Sequence, residues 1–156
     1  MLETMLKRRS IRSYKSIPLD KATLEHLVNA MHLAPSGNNN QAWKFIVVTT
    51  EHREEIAAAC DQAWVAEAPA IIVALSEKNK DDYNLAFAVD HLLLEAADLE
   101  LGTCVVRSFS QDRVKQVLGI PENYHVFALV PVGHPNEYPE PNPRKPLSEV
   151  LCWEKF

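Results

Sequence analysis

Residues 7–15 read KRRSIRSYK, five basic side chains and three hydroxyls in nine positions of a chain whose formal net charge is −5. Guanidinium and hydroxyl groups are the donors that oxyanions prefer, because their hydrogen bonds to a phosphate are charge-assisted or short. Arg8, Arg9, Ser10 and Arg12 therefore make a candidate anion site, and the anion is a nucleic-acid backbone, a membrane surface or the phosphate of a small cofactor. A solvated helix end accounts for the same residues, since cations near a helix C-terminus interact favourably with its dipole. On these residues alone the two readings stand level. A second basic pair, Arg144 and Lys145 in PRKPL (143–147), sits between prolines that already restrict the backbone and so lower the entropic cost of presenting charge.

Two more stretches have the look of a ligand site. PSGNNNQAWKF (35–45) passes from a helix-stopping Gly37 through four amide side chains to the aromatic Trp43, which gives a loop dense in donors and acceptors. The loop reads as ligand-facing on a rigid scaffold, against the plainer reading of turn chemistry. GTCVVRS (102–108) reads as a strand that ends in open-loop residues.

Other chemistries lack their signatures. The four glycines, at 37, 102, 119 and 133, form neither a dinucleotide GxGxxG nor a phosphate-cradling GxxxxGK[ST]. The six histidines show no HExxH or other paired metal spacing, no GxSxG elbow is present, and no metal site is expected. His91 falls in a polar sector of an apolar helix, where a hydrogen-bonded structural role is favoured. Cys60, Cys104 and Cys152 are odd in number and far apart, so they read as packing residues rather than a disulfide framework.

The elements that must position these residues alternate between helix and strand. A short helix over 2–7 leads into the basic island. Asp20 caps a helix carrying Leu24, Leu27, Val28 and Met31, which Pro35, Ser36 and Gly37 stop. Strands are expected at 43–50, 69–76, 102–107 and 125–133, and a helix at 51–64. The helix over 84–101 is apolar nearly all round, so it must be buried on most faces, by its own sheet and by a partner subunit. Five prolines between 134 and 146 make that stretch an extended arm.

Length and composition bound the rest. A chain of 156 residues with 47% apolar and 24% charged residues is an ordinary globular domain, so one domain over 1–156 is expected. The acidic total argues against nucleic acid, whose backbone needs a far larger basic surface. No apolar run is long enough to span a bilayer, so a soluble, cytoplasmic protein with no membrane partner is expected. Alternation of helix and strand points to an α/β or α+β sandwich with one main sheet.

RRSIRSY, APSGNNNQAWKFIVV, LGTCVVRSF, and VPVGHP followed by PRKPLSEVLCWEKF lie in this order across essentially the whole chain, and together they resemble the FMN-dependent nitroreductase family. The resemblance implies an α+β fold, a three-layer α/β/α sandwich around a mainly antiparallel sheet, with a flavin site at each end of a homodimer interface. It implies FMN as cofactor, NADH or NADPH as electron donor, and a small electron-poor acceptor such as a nitroaromatic or quinone, reduced by a ping-pong mechanism. A flavin-holding protein of the same fold with other chemistry is the alternative. By analogy Arg8, Arg9, Ser10 and Arg12 line the phosphate, ribityl and pyrimidine side of FMN, and Arg144 with Lys145 closes on the phosphate. Pro35, Ser36, Asn38 and Gln41 come from the partner subunit, and backbone groups of Val106, Arg107 and Ser108 face flavin N5. No catalytic side chain is implied, because the flavin carries the chemistry. The chain departs from the family at Ala42, where Pro is common before Trp, and at Arg107-Ser108, where a glycine-containing pair is common. It also lacks about 60 residues that longer members insert between Cys60 and Asn84.

Overall fold

The run AIIVALSE (Ala70–Glu77) is buried over its first seven residues, so both faces of this strand must be covered, and the rest of the chain is arranged to cover them. The computed structural model describes residues 1–49, 52–78 and 82–156. Along these residues run α1 (Glu3–Lys7), α2 (Lys21–His32), β1 (Trp43–Val48), α3 (His52–Ala57), β2 (Ala70–Glu77), α4 (Tyr83–Asp98), β3 (Gly102–Thr103), α5 (Gln111–Leu118) and β4 (Tyr124–Gly133). The strands form one sheet in the order β1-β2-β4-β3, antiparallel throughout.

Successive β2 side chains alternate between the two faces, and each face has its own core. Ala70, Ile72 and Ala74 pack with Leu24, Leu27 and Met31 of α2 and Leu85, Val89 and Leu92 of α4. Ile71, Val73 and Leu75 pack with Ile56 of α3 and Val114 of α5. The expected three-layer α/β/α sandwich with an antiparallel centre is the observed fold. Truncating a buried side chain such as Ile72 to Ala costs about 2–5 kcal/mol through lost burial and the cavity left behind.

Local signals explain most element ends. Asp20 caps α2 by accepting the Thr23 N–H at 2.7 Å, a bond that also holds its carboxyl below the usual range. α4 ends earlier than the expected 101 because Glu100 adopts a left-handed φ of 58° and the Leu101 N–H turns back to the Ala96 carbonyl at 2.7 Å. α3 stops at Ala57 instead of continuing to 64, because the chain bridges at Cys60 to Phe109 and the Ala59 carbonyl accepts the Ser110 N–H. Residues 50 and 51, expected at the end of β1 and the start of α3, lie outside the described residues.

The strand expected over 102–107 shrinks to Gly102–Thr103, since beyond it the chain turns from the sheet edge and rejoins β4 at a single bridge, Val106 to Leu129. On its other side Thr103 bridges Ser10, and its carbonyl accepts the Ile11 N–H at 2.9 Å. Gly102 is required by that approach: a Cβ there would lie 2.8 Å from the Ile11 side chain. α5 has no counterpart among the expected elements, although Ser110 caps its start and Gly119, at φ 62°, closes its end.

α4 buries Leu85, Ala88, Val89, Leu92 and Ala96 within its own chain, while Phe87 stands 52% exposed. His91 takes the structural role expected of it, donating from Nδ1 to the Ala30 carbonyl at 3.2 Å and tying α4 to α2. Of the cysteines, Cys104 is buried and Cys60 half-buried, but Cys152 is exposed on the C-terminal arm and packs nothing.

Candidate cofactor site

The basic island is laid beside Thr103, which Ser10 meets at a single bridge. Ile11 and Tyr14 face inward and are buried, and the Tyr14 hydroxyl donates to the Ile11 carbonyl at 2.7 Å. Burial pushes the Tyr14 phenol far above its ordinary range, which keeps it neutral. The charges of Arg12 and Arg8 and the Ser10 hydroxyl act on the buried Cys104 thiol. Burial pushes that thiol up, against the pull of the Arg12 charge, the Ser10 hydroxyl and the Arg8 charge.

Among the described residues the guanidiniums of Arg8 and Arg12 have neither an ion-pair nor a hydrogen-bond partner. Lys7, Lys21, Lys78 and Lys115, by contrast, all reach a glutamate within 3.4 Å. Two neighbouring cations left unpaired around a hydroxyl are an arrangement that an anion relieves. Arg12 is also held from behind, its main-chain N–H donating to Glu137 Oε1.

Arg9 is placed differently. Its Nη1 lies 2.7, 3.1 and 2.9 Å from the carbonyl oxygens of Leu6, Lys7 and Arg8, so it closes the C-terminus of α1, and its buried Nε has no partner among the described residues. A groove of about 760 Å³ opens on this side, lined by Leu6, Arg8, Arg9, Ile11, Leu101 and Tyr138 among others, but not by Ser10 or Arg12. Arg8 thus borders the groove, while Ser10 and the exposed Arg12 lie outside its lining.

The amide loop is self-supporting. The Gln41 N–H donates to Ser36 Oγ at 3.1 Å, Gln41 Nε2 reaches Asn39 Oδ1 at 3.1 Å, and the Gly37 N–H donates to Asn84 Oδ1 of α4 at 3.0 Å. Asn38, Asn39 and Gln41 all have left-handed φ values, of 51°, 53° and 47°. Such a run is unusual for residues other than glycine and is a form of strain that clusters at ligand sites. Pro35 and Asn38 are exposed, and among the described residues no hydrogen bond joins this loop to the island within one chain.

At the end of the 102–108 stretch, Val106 exchanges both main-chain hydrogen bonds with Leu129, at 2.8 and 3.0 Å. That leaves Arg107 and Ser108 to offer free groups, and among the described residues their N–H groups have no partner. The Arg107 guanidinium lies over the Phe127 ring, 4.4 Å from its centroid. Arg144 and Lys145 are exposed on the arm, where Arg144 Nη1 donates to the Asn142 carbonyl at 3.0 Å.

Glu137 and Phe127 are site features that motif spacing did not reveal. Glu137 sits in the proline-rich arm, and it meets Arg12 because Lys15 and Asn136 hydrogen-bond to His134 and Ser13 in a short antiparallel ribbon. Among the described residues no group of three or more His, Cys, Asp or Glu could hold a metal ion, and no helix is long and apolar enough to cross a membrane.

The Nitroreductase family model matches residues 5–87 and 61–134. A relative from Thermus thermophilus, named NADH dehydrogenase, is 30% identical across 95% of this chain and 93% of its own length. The NADPH-flavin oxidoreductase of Vibrio harveyi is 29% identical across 96% of this chain and 72% of its own. Among solved structures, an FMN-dependent nitroreductase from Clostridium difficile superposes with a TM-score of 0.85 at 25% identity, covering 100% of both chains. With its antiparallel sandwich, its two unpaired arginines beside Thr103 and these matches, the chain belongs to the nitroreductase family.

Proposed function

We propose that this chain is an FMN-dependent oxidoreductase that passes electrons from NADH or NADPH to a small electron-poor acceptor such as a nitroaromatic or a quinone. The observation that carries the reading is the pair of unpartnered guanidiniums, Arg8 and Arg12, which flank Ser10 in the segment bridged to Thr103. A phosphate supplies the charge this cluster lacks. The donor set fits FMN along its length, because the free N–H groups of Arg107 and Ser108 follow Cys104 by only a few residues. FMN, when bound, supplies the two-electron chemistry.

In this reading Arg8, Ser10 and Arg12 bind the phosphate, ribityl and pyrimidine side, and the main chain at Arg107 and Ser108 holds the ring edge in a fixed orientation. Donors aimed in advance at the edge where negative charge grows stabilise that charge without reorganising. Arg9 serves the site indirectly, by closing α1 behind Arg8. Donor and acceptor occupy one place in turn, so initial-rate plots form parallel lines.

The site is completed by a second copy of the chain. Tyr138, Leu147, Val150 and Trp153 stand 65–83% exposed along the arm, and Phe87 is exposed on α4, a distribution that suits a partner subunit. The amide loop with Pro35, Ser36, Asn38 and Gln41, and the arm with Arg144 and Lys145, then reach the other chain's Arg8 and Arg12. The dimer is cytoplasmic in this reading, where the nicotinamide donor is made. Titration of the purified protein with FMN, followed by quenching of flavin fluorescence, tests the proposal: saturation at one FMN per chain is expected, and absence of binding overturns it.

A further inference from the structure

We propose that Arg107 is a specificity residue that recognises an oxyanion on the small molecule bound beside the flavin, so that carboxylate-bearing acceptors are favoured over neutral isosteres. The inference rests on the FMN site proposed above.

Its physical basis is the way the side chain is held. β2 pairs Leu75 with Val126 and Ala74 with Ala128, so Phe127 is the extra residue of a β-bulge. A bulge re-aims a side chain, and here Phe127 joins Ala128 in the core on the α2 and α4 side, with 8% of its surface exposed. Arg107 lies on this ring at 4.4 Å, and Val106 beside it is buried and bonded on both main-chain groups to Leu129. The arginine is therefore anchored at its backbone and at the face of its guanidinium. A cation over a ring face spends no hydrogen bond there, and among the described residues the Arg107 guanidinium donates none, so its N–H groups remain for a carboxylate or phosphate, which a guanidinium grips in two parallel bonds. Among the described residues no acidic side chain takes these groups, and the residue is exposed.

Arg107 is also distinct from the phosphate cluster. It lies three positions beyond Cys104, at most about 10 Å along the chain, so one molecule can engage the cluster while another reaches Arg107. A cation fixed in advance loses little rotamer entropy on binding, which turns its charge into selectivity. A stacked surface arginine without this role would show no preference between charged and neutral ligands of equal shape. The oxyanion has two sources, the carboxylate of an acceptor or the phosphates of the nicotinamide donor, and the two can be separated.

The test uses FMN-loaded protein titrated with 4-nitrobenzoate, 4-nitrobenzamide and ADP-ribose, read as perturbation of the flavin visible spectrum. Wild type is expected to bind the benzoate about tenfold more tightly than the amide, as one charge-assisted contact provides. Arg107→Gln should erase that ratio, and Arg107→Lys should restore part of it. Weakening of ADP-ribose alone would support the oxyanion site and assign it to the donor. An unchanged benzoate preference and unchanged ADP-ribose binding in Arg107→Gln would overturn the inference while leaving the FMN site intact. Failure of wild type to bind FMN would overturn both.

Discussion

The carboxylate of Glu137 accepts the main-chain N–H of Arg12, so an acidic side chain buttresses the residue assigned to a phosphate. Two effects oppose each other here: the hydrogen bond fixes Arg12, and the negative charge repels the phosphate it serves. Glu137→Gln keeps an acceptor and removes the charge, and FMN should bind a few-fold more tightly. Glu137→Ala loses the acceptor as well, and should bind about 5–10-fold more weakly than the Gln variant, the worth of one hydrogen bond. Fluorescence titration of both variants at low and moderate salt checks the order, since charge effects at an open site are screened.

The three arginines should separate by assay. Arg12→Ala loses a charge-assisted contact and should weaken FMN binding by about 1.5–3 kcal/mol, with the melting temperature of the cofactor-free protein unchanged because its guanidinium has no partner in the chain. Arg8→Ala should behave alike. Arg9→Ala releases three carbonyls at the end of α1, so amide exchange in residues 3–8 should rise before FMN affinity falls. Equal loss of FMN binding in all three would place Arg9 on the cofactor.

How much of this was legible in the sequence depends on whether the signal was local. The α2 cap at Asp20, the doubly buried β2 and the amide loop could all be read from neighbouring residues. α5 carried equally local signals, Ser110 at its start, Gly119 at its end and an apolar stripe of Val114, Val117 and Leu118 at 3–4 spacing, so it was legible and went unread. Long-range relations were out of reach. Nothing in RRSIR separates Arg9, which turns back to α1, from Arg8 and Arg12, because that split follows from the bridge of Ser10 to Thr103. Glu137 and Phe127 are likewise fixed by pairing across the fold, one by the arm ribbon and the other by a bulge in β4.

The proposed subunit interface is best probed at Phe87. Leu92 of the same helix is wholly buried within its own chain, and a charge there would unfold the domain itself. Phe87 is half exposed, so Phe87→Glu should leave the secondary structure intact while sedimentation shows a monomer and FMN is lost. A wild-type monomer that retains FMN would contradict the two-chain site.

Alkaline stability should follow the buried acids. Burial, with a smaller contribution from Asp61, pushes the Cys60 thiol from its ordinary 9.0 up to about 11, and burial raises Tyr14 as well. The unfolded chain then releases these protons more readily than the folded one, so stability is fully present below about pH 9 and is lost as pH rises from there through 11. Urea denaturation across this range should show the decline, and Cys60→Ala should make it shallower between pH 9 and 11.

In the proposed function Arg8, Ser10 and Arg12 hold a flavin that this chain reduces and reoxidises. Anaerobic addition of NADH or NADPH to the FMN-loaded protein, followed by a nitroaromatic or quinone, tests it most directly. The flavin's visible band should bleach on the first addition and return on the second, and Arg8→Ala combined with Arg12→Ala should abolish both by failing to retain FMN. A protein that binds no FMN, or whose bound FMN neither bleaches with either nicotinamide nor depends on those arginines, would contradict it.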